Sequence, residues 1–273
     1  MYIKKRIYIL VKTYPVVSDK YSELVCTAGI LEDGSWIRLY PVPFRFLEDE
    51  KRFPKFSWIE VEVQKRSEDF RPESYSPNLD TLRVEEKMPV NWRERKRSIL
   101  KSPVYSDLSQ LIRQAKSSKK TSLAIFKPAR MLDFKIRPGD REWDEKIRNR
   151  HEQAAKQVHL TMSAEEMKLL HRLPAKVPYD FYYQFEDENG IVSQMKIMDW
   201  EINALYWNCL RNAANDEAIA LEKVRRKYWT EFMDRDLHLF LGTTLAHHHT
   251  APNPFTIVGV FYPPVEKQIS LFD

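Results

Sequence analysis

Short stretches of the first ninety residues alternate between apolar and polar with a period of two, the mark of strands that turn one face to a core. Residues 2–12 carry Tyr2, Ile3, Ile7, Tyr8, Ile9, Leu10 and Val11 and predict a first strand. Leu24 to Ile30 and Trp36 to Tyr40 flank Glu32-Asp33-Gly34-Ser35, a tight-turn composition, and predict a hairpin. Ser57 to Lys65 sets Ile59, Val61 and Val63 against Trp58, Glu60, Glu62 and Gln64 and predicts another strand. Asp69 to Pro77 is polar and proline-stiffened, which predicts a loop of the kind that carries sites. The region 1–90 is therefore expected to form a β-barrel-like or curled sheet.

From residue 91 the pattern changes to helical spacing. Asn91 is expected to cap a helix from Trp92 to about Leu100, and Ser106 a second one carrying Leu108, Leu111, Ile112 and Ala115. Ser122 to Phe126 and Met131 to Ile136 predict two strands. Asp140 is expected to cap a charged helix over 141–158. Ser163 and Glu166 form a capping box for a short helix ending before Pro174. Phe181–Phe185 and Ile191–Met198 flank Glu188-Asn189-Gly190 and predict a hairpin. Asp199 and Asn215 open two helices, and Leu237–Leu241 and Phe255–Tyr262 predict closing strands. The expected fold is α+β, in four regions: 1–90 β-rich, 91–175 basic and mainly helical, 176–264 α+β, and 265–273 a tail peptide. No Gly/Ser linker separates them, so the terminal β regions are free to share one sheet.

The 273 residues, 43% of them hydrophobic, can fill a sizeable core. No apolar run reaches membrane-spanning length, and the N-terminal apolar stretch is too short for a signal peptide. Two distant cysteines, Cys26 and Cys209, exclude a disulfide framework and read as core residues. Together these features lead to the expectation of a cytoplasmic protein with no membrane partner. Six glycines leave no phosphate-cradling loop.

Charge adds a partner to this picture. The net charge is +5, yet residues 91–150 hold 17 Lys/Arg against 7 Asp/Glu. On a helix Arg93, Arg97 and Lys101 would share one face, where they repel until an anion neutralises them. Lys119, Lys120, Lys127 and Arg130 form a second cluster. DNA or RNA is the expected partner, with Trp92 near enough to stack on bases. In the predicted hairpin Trp36, Arg38 and Tyr40 fall on one face. With Trp58, Arg71 and Tyr75 they could line an aromatic-basic pocket for an unstacked base. The alternative places Trp36 and Tyr40 in the core and Arg38 in an ion pair. A compact β region with such a pocket is similar in architecture to PUA- and ASCH-like nucleic-acid modules.

The final residues add a second partner. Gln268-Ile269-Ser270-Leu271-Phe272 resembles the short peptide by which bacterial replication and repair proteins dock on the sliding clamp. The resemblance implies Gln268 as the rim contact, Ile269 and Ser270 as register-setting residues, and Leu271 and Phe272 as anchors. Ile269 departs from the usual Leu. The alternative is a last segment packed on the body. The expected function is thus a nucleic-acid-binding protein recruited to the clamp, acting in DNA replication, repair or phage-related defence.

Two other classes compete. Glu60 and Glu62, followed by Lys65, faintly resemble a nuclease site, which would require Mg²⁺; otherwise no cofactor is expected. The carboxylate-to-lysine spacing departs from the usual nuclease pattern. An interaction protein without nucleic-acid contact is the third class. His247-His248-His249 matches no zinc spacing and is expected in a solvent loop, with His238 half-buried on a strand.

Overall fold

The run Ile7–Val11 is buried without a break, because its strand is covered on both faces. Ile7 and Ile9 point into a barrel, while Tyr8 and Leu10 point outward into a second core. This arrangement is seen in a computed structural model that describes residues 1–13, 25–44, 47–85, 91–156 and 173–265. The fold is α+β, with twelve strands and five α-helices among the described residues.

Strands β1 (Ile3–Lys12), β2 (Val25–Ile30), β3 (Trp36–Val42), β4 (Trp58–Lys65) and β5 (Ser74–Val84) close a barrel in the order β1-β2-β3-β5-β4. Closure depends on a short parallel pairing of β3 with β5, Arg38 opposite Ser74 and Leu39 opposite Tyr75. The sequence pattern predicts a loop through Pro77, whereas the strand already begins at Ser74. Its Ser-Tyr-Ser-Pro-Asn start lacks alternation because it lies along a rim where pairing, more than burial, holds it. Ile37, Leu39, Ile59, Val61, Val63 and Leu82 fill the barrel interior.

Helix α1 (Trp92–Ile99) follows, with Asn91 capping the amides of Arg93 and Glu94. Then come β6 (Val104–Tyr105), α2 (Leu108–Lys116), β7 (Leu123–Phe126), β8 (Arg130–Pro138) and α3 (Glu145–Lys156). Asp107, not Ser106, caps α2, its side chain accepting from the Gln110 amide at 2.9 Å. Asp107 stands one residue before the helix, where a carboxylate reaches the orphan amides better than a hydroxyl two residues away. Within 91–156 three helices thus alternate with three strands, two of them at the expected places, Ser122–Phe126 and Met131–Ile136. The capping box at Ser163–Glu166 lies outside the described residues.

β9 (Tyr179–Glu186) and β10 (Val192–Lys196) form the expected hairpin, with Gly190 at φ +77° in its turn. Helices α4 (Trp200–Asn212) and α5 (Glu217–Arg225) follow, then a π-helical turn over Arg226–Glu231, β11 (His238–Thr243) and β12 (Phe255–Phe261). Asp216 caps α5 in place of Asn215, which adopts φ +67° in the turn before it. These strands do not extend the barrel. They build two sheets of their own, β12-β11-β7-β6 and β10-β9-β8.

The first of these sheets packs on the outside of the barrel. Leu123, Ile125, Phe240, Val258 and Phe261 meet Tyr8, Leu10, Ala28 and Ile30 there. One ionic knot crosses the same seam. Lys55, just ahead of β4, reaches Asp199 at 3.1 Å and Glu201 at 2.9 Å. The Lys55 and Asp199 side chains are 3% and 0% exposed. Asp199 also caps α4, so a single carboxylate fixes a helix start and the barrel's position.

Candidate functional site

The seam between barrel and second sheet holds two cavities, and the residues expected to form one pocket are divided between them. Both cavities owe their shape to β3. Its inward residues, Ile37 and Leu39, belong to the barrel core. Trp36, Arg38 and Tyr40 therefore share the outward face, as period-two alternation requires.

The first cavity measures about 380 Å³. The barrel contributes Lys5, Trp36, Glu73 and Tyr75, and the second module contributes Tyr105 and Lys119. Leu31 and Ser35 of the β2–β3 turn line it, and between them Gly34 adopts φ +84°. A side chain there would lie within 2.8 Å of the Lys101 carbonyl oxygen, so only glycine lets the chain after α1 pack against this turn. Lys101 donates to the Glu32 carbonyl at 2.9 Å, and the Ser102 hydroxyl donates to the Gly34 carbonyl. That docking carries Pro103 and Tyr105 to the cavity edge. The Tyr105 ring is held by its hydroxyl, which donates to Gln114 Oε1 at 2.9 Å. Trp36 packs edge-on against Phe240 at 5.9 Å.

Glu73 is the chemically unusual wall residue. It is 8% exposed. Its Oε1 accepts from the Ser122 amide at 2.9 Å. Its Oε2 is buried and accepts no hydrogen bond. A buried acceptor left unmade costs about 1–3 kcal/mol, more when charged.

The second cavity, about 290 Å³, lies further along the seam and is lined by Arg38, Tyr40, Arg66, Asp69 and Arg71 together with Cys26 and Met198. Arg38 is 2% exposed and among the described residues forms no ion pair: it donates to Ser122 Oγ at 2.8 Å, to Ser74 Oγ at 3.3 Å and to the Ser122 carbonyl at 3.3 Å. Of the sequence alternatives, burial applies to Arg38, but hydroxyl and carbonyl oxygens take the place of an ion-pair partner. Arg71 instead grips Asp69 with two nitrogens, at 2.8 and 2.6 Å, and donates to the Thr243 carbonyl at 2.7 Å. Burial alone would raise the Asp69 pKa; the Arg71 fork outweighs it and holds the carboxyl well below the usual carboxylate range. These bonds are structural in geometry, since they tie β5, β7 and β11 together across the seam.

The remaining candidates are scattered. Trp58 stands apart from both cavities, with the Arg6 guanidinium 4.4 Å above its ring and Tyr8 at 5.0 Å. Arg93 and Arg97 are exposed on α1. Lys101 does not continue their row, because the helix ends at Ile99 and Lys101 is turned onto the β2–β3 hairpin. Lys127 and Lys96 both pair with Asp236, the latter at 3.2 Å. Arg130 pairs with Glu186 at 3.0 Å. Lys120 lies 5.5 Å over the Phe70 ring. Of the seven cations expected to meet nucleic acid, Lys119 lines a cavity. Lys5 joins it there, from the Lys4-Lys5-Arg6 run on β1, which lies far in sequence from the basic middle.

The histidine run does not lie wholly in solvent. His248 is fully buried, bridging Thr243 Oγ1 at 2.8 Å and the Ala115 carbonyl at 2.8 Å. Burial pushes its pKa down, so the ring is neutral: Nε2–H donates to Ala115 and Nδ1 accepts from the hydroxyl. His249 stacks on Phe70 at 4.4 Å. His238, also buried, contacts the Asp236 carbonyl at 2.9 Å. Glu60 pairs with Lys4 at 2.6 Å. Among the described residues no three of His, Cys, Asp or Glu gather as metal ligands. Cys209 is buried and Cys26 half-buried. No helix among the described residues is long and apolar enough to cross a membrane. Gln268, Ile269, Ser270, Leu271 and Phe272 lie outside the described residues.

Fold and cavities define an α+β protein of two modules, a five-stranded barrel and a helix-and-sheet body, with its open cavity built from both. Residues 105–273 match the family described as Domain of unknown function (DUF8757), and the chain belongs to that family. Residues 3–101 match a second one, Domain of unknown function (DUF8758). The two matches meet in the linker between α1 and β6, the stretch that packs on Gly34. No curated protein matches the chain.

Proposed function

We propose that this protein binds nucleic acid, receives an unstacked base in the cavity between its two modules, and is brought to the bacterial sliding clamp by Gln268–Phe272. One observation carries the first part: three rings, Trp36, Tyr75 and Tyr105, and two ammonium groups, Lys5 and Lys119, line one concavity of about 380 Å³. That volume sits near the lower end of the ~300–1,000 Å³ typical of small-ligand sites, which suits a single base or nucleoside. Aromatic walls give a base somewhere to stack, and lysines at the opening attract the phosphates on either side of it. Arg93 and Arg97 add two exposed cations on α1. The clamp assignment rests on the tail sequence alone. Replication, repair and phage-related defence are the settings in which both activities are combined.

Stacking on a protein ring is worth about 1–3 kcal/mol per base. Tyr75→Ala is therefore expected to weaken single-stranded oligonucleotide binding by roughly 5- to 150-fold, read by fluorescence anisotropy at fixed salt. Thermal melting checks that the variant folds, and Tyr105→Ala supplies an independent second ring. Unchanged affinity in both variants would reject the cavity as the base site.

A further inference from the structure

Pro72 and Glu73 on one loop, and Lys119 and Thr121 on another, line the cavity between the modules. Each loop also carries a residue that does not line it, and these two residues meet. Phe70 stands two residues before Pro72, and two residues of chain span at most about 7 Å. Lys120 stands between the two cavity residues of its loop, at φ +49°, and its ammonium lies 5.5 Å from the Phe70 ring. Phe70 is 36% exposed, although Asp69 and Arg71 on either side of it are buried. Those neighbours are fixed to each other, the Arg71 guanidinium gripping Asp69 and the Arg71 amide donating to Asp69 Oδ1 at 3.1 Å, so the ring is displayed from a rigid support. His249, also exposed, stacks on the ring at 4.4 Å and 26°. The buried His248 meets Phe70 edge-on at 5.0 Å and is itself anchored by Thr243 and Ala115. One exposed ring is ordinary on a protein surface. Two stacked rings beside a cation, on anchored loops that run into an aromatic cavity, have the composition of a stacking platform for single strands.

We propose that Phe70 and His249 take the base next to the one in the cavity, with Lys120 meeting the phosphate between the two. This rests on the proposed base-binding role of the cavity. A strand with one base in the cavity brings its next phosphate to the opening, where Lys119 is followed directly by Lys120. The ammonium neutralises that phosphate, and the neighbouring rings receive the base attached beyond it. Every base has a π-face, so the platform adds affinity without sequence preference. The ligand is therefore a single strand of at least two nucleotides, in preference to a free nucleotide. A duplex keeps its bases stacked on one another and offers the platform no free face.

The test uses the full chain and measures how thymidine monophosphate and the dinucleotide pTpT each compete with a fluorescent single strand. The native protein is expected to bind pTpT about tenfold or more tighter than the mononucleotide. Phe70→Ala should leave mononucleotide affinity unchanged and weaken pTpT by roughly 5- to 150-fold. Phe70→Tyr keeps the ring and should keep pTpT affinity. Tyr75→Ala, in the cavity, should weaken both ligands. A pTpT analogue that lacks one base should lose its advantage on the unaltered protein, a result that does not depend on how a variant folds. Phe70→Ala should weaken that analogue no further, because the base it would have met is gone. Unchanged pTpT affinity in Phe70→Ala, with the Tyr75→Ala loss intact, overturns the platform and leaves the cavity reading in place. Equal loss of both ligands in Phe70→Ala also overturns it, since the ring then acts through the fold. Failure of the native protein to bind any strand overturns both.

Discussion

Lys55→Met is expected to cost about 3–5 kcal/mol of stability, the range for removing one partner of a buried ion pair. The methionine preserves the length and most of the volume of the side chain, so the loss reports charge and not a cavity. What remains is Asp199, with a side chain that is 0% exposed and lacking its cation. Glu201, 2.9 Å from Lys55 in the native protein, cannot compensate, since it carries the same sign. The pH dependence identifies the cause. Burial raises the Asp199 carboxyl, to about 6, above its ordinary 3.8. A carboxyl raised by folding contributes stability when protonated and loses it as pH rises through the folded value. Removing Lys55, whose charge holds this carboxyl down, raises it further, so the Lys55→Met deficit should be largest at alkaline pH and shrink on acidification toward the native value. Adding Asp199→Asn should recover much of the loss, because asparagine still caps α4 and carries no charge. Chemical denaturation of the three variants across pH measures all of this. A pH-independent deficit would assign Lys55 a packing role instead.

Leu271→Ala/Phe272→Ala is the second large effect, on partnership instead of stability. Burying each side chain in a groove is worth about 1.5–3 kcal/mol. Losing both should weaken binding to purified clamp by roughly 10²- to 10⁴-fold. Oligonucleotide affinity and melting temperature should stay unchanged, since the proposed base cavity draws on residues no later than Leu123. Val265, the last described residue, is 60% exposed, just beyond the pairing of Pro264 with Arg235. Undiminished clamp binding by the double variant would reject the tail assignment, whatever the cavity does.

Sequence periodicity carried far into this fold where burial and local pattern coincide. Ile59, Val61 and Val63 alternate because β4 has one face in the barrel, and the Asp33-Gly34 turn fixes the neighbouring hairpin. The same logic put Trp36, Arg38 and Tyr40 on one face. It could not say what they would meet. Ser122, Tyr105 and Phe240 approach from about 70 to 200 residues away in the chain, and long-range docking leaves no periodic trace. Trp36 and Arg38 consequently belong to different cavities, and Trp58 to neither. β5 was illegible for a related reason: its pairing at the barrel rim is satisfied by backbone, so polar side chains and Pro77 cost it little. Glu73 and His248 looked solvated because polar residues in polar stretches usually are. Each is buried by a partner amide, hydroxyl or carbonyl supplied from elsewhere in the chain. The Lys101 error was local, and Pro103 already hinted that the row Arg93-Arg97-Lys101 would break.

The most direct measurement is photocrosslinking of a single strand carrying 5-iodocytosine, followed by mass-spectrometric mapping of the attached peptide. Attachment at Trp36, Tyr75 or Tyr105, competed away by unmodified strand, is the expected result. Attachment confined to other surfaces, such as the exposed face of α1, would contradict a base-binding cavity between the two modules.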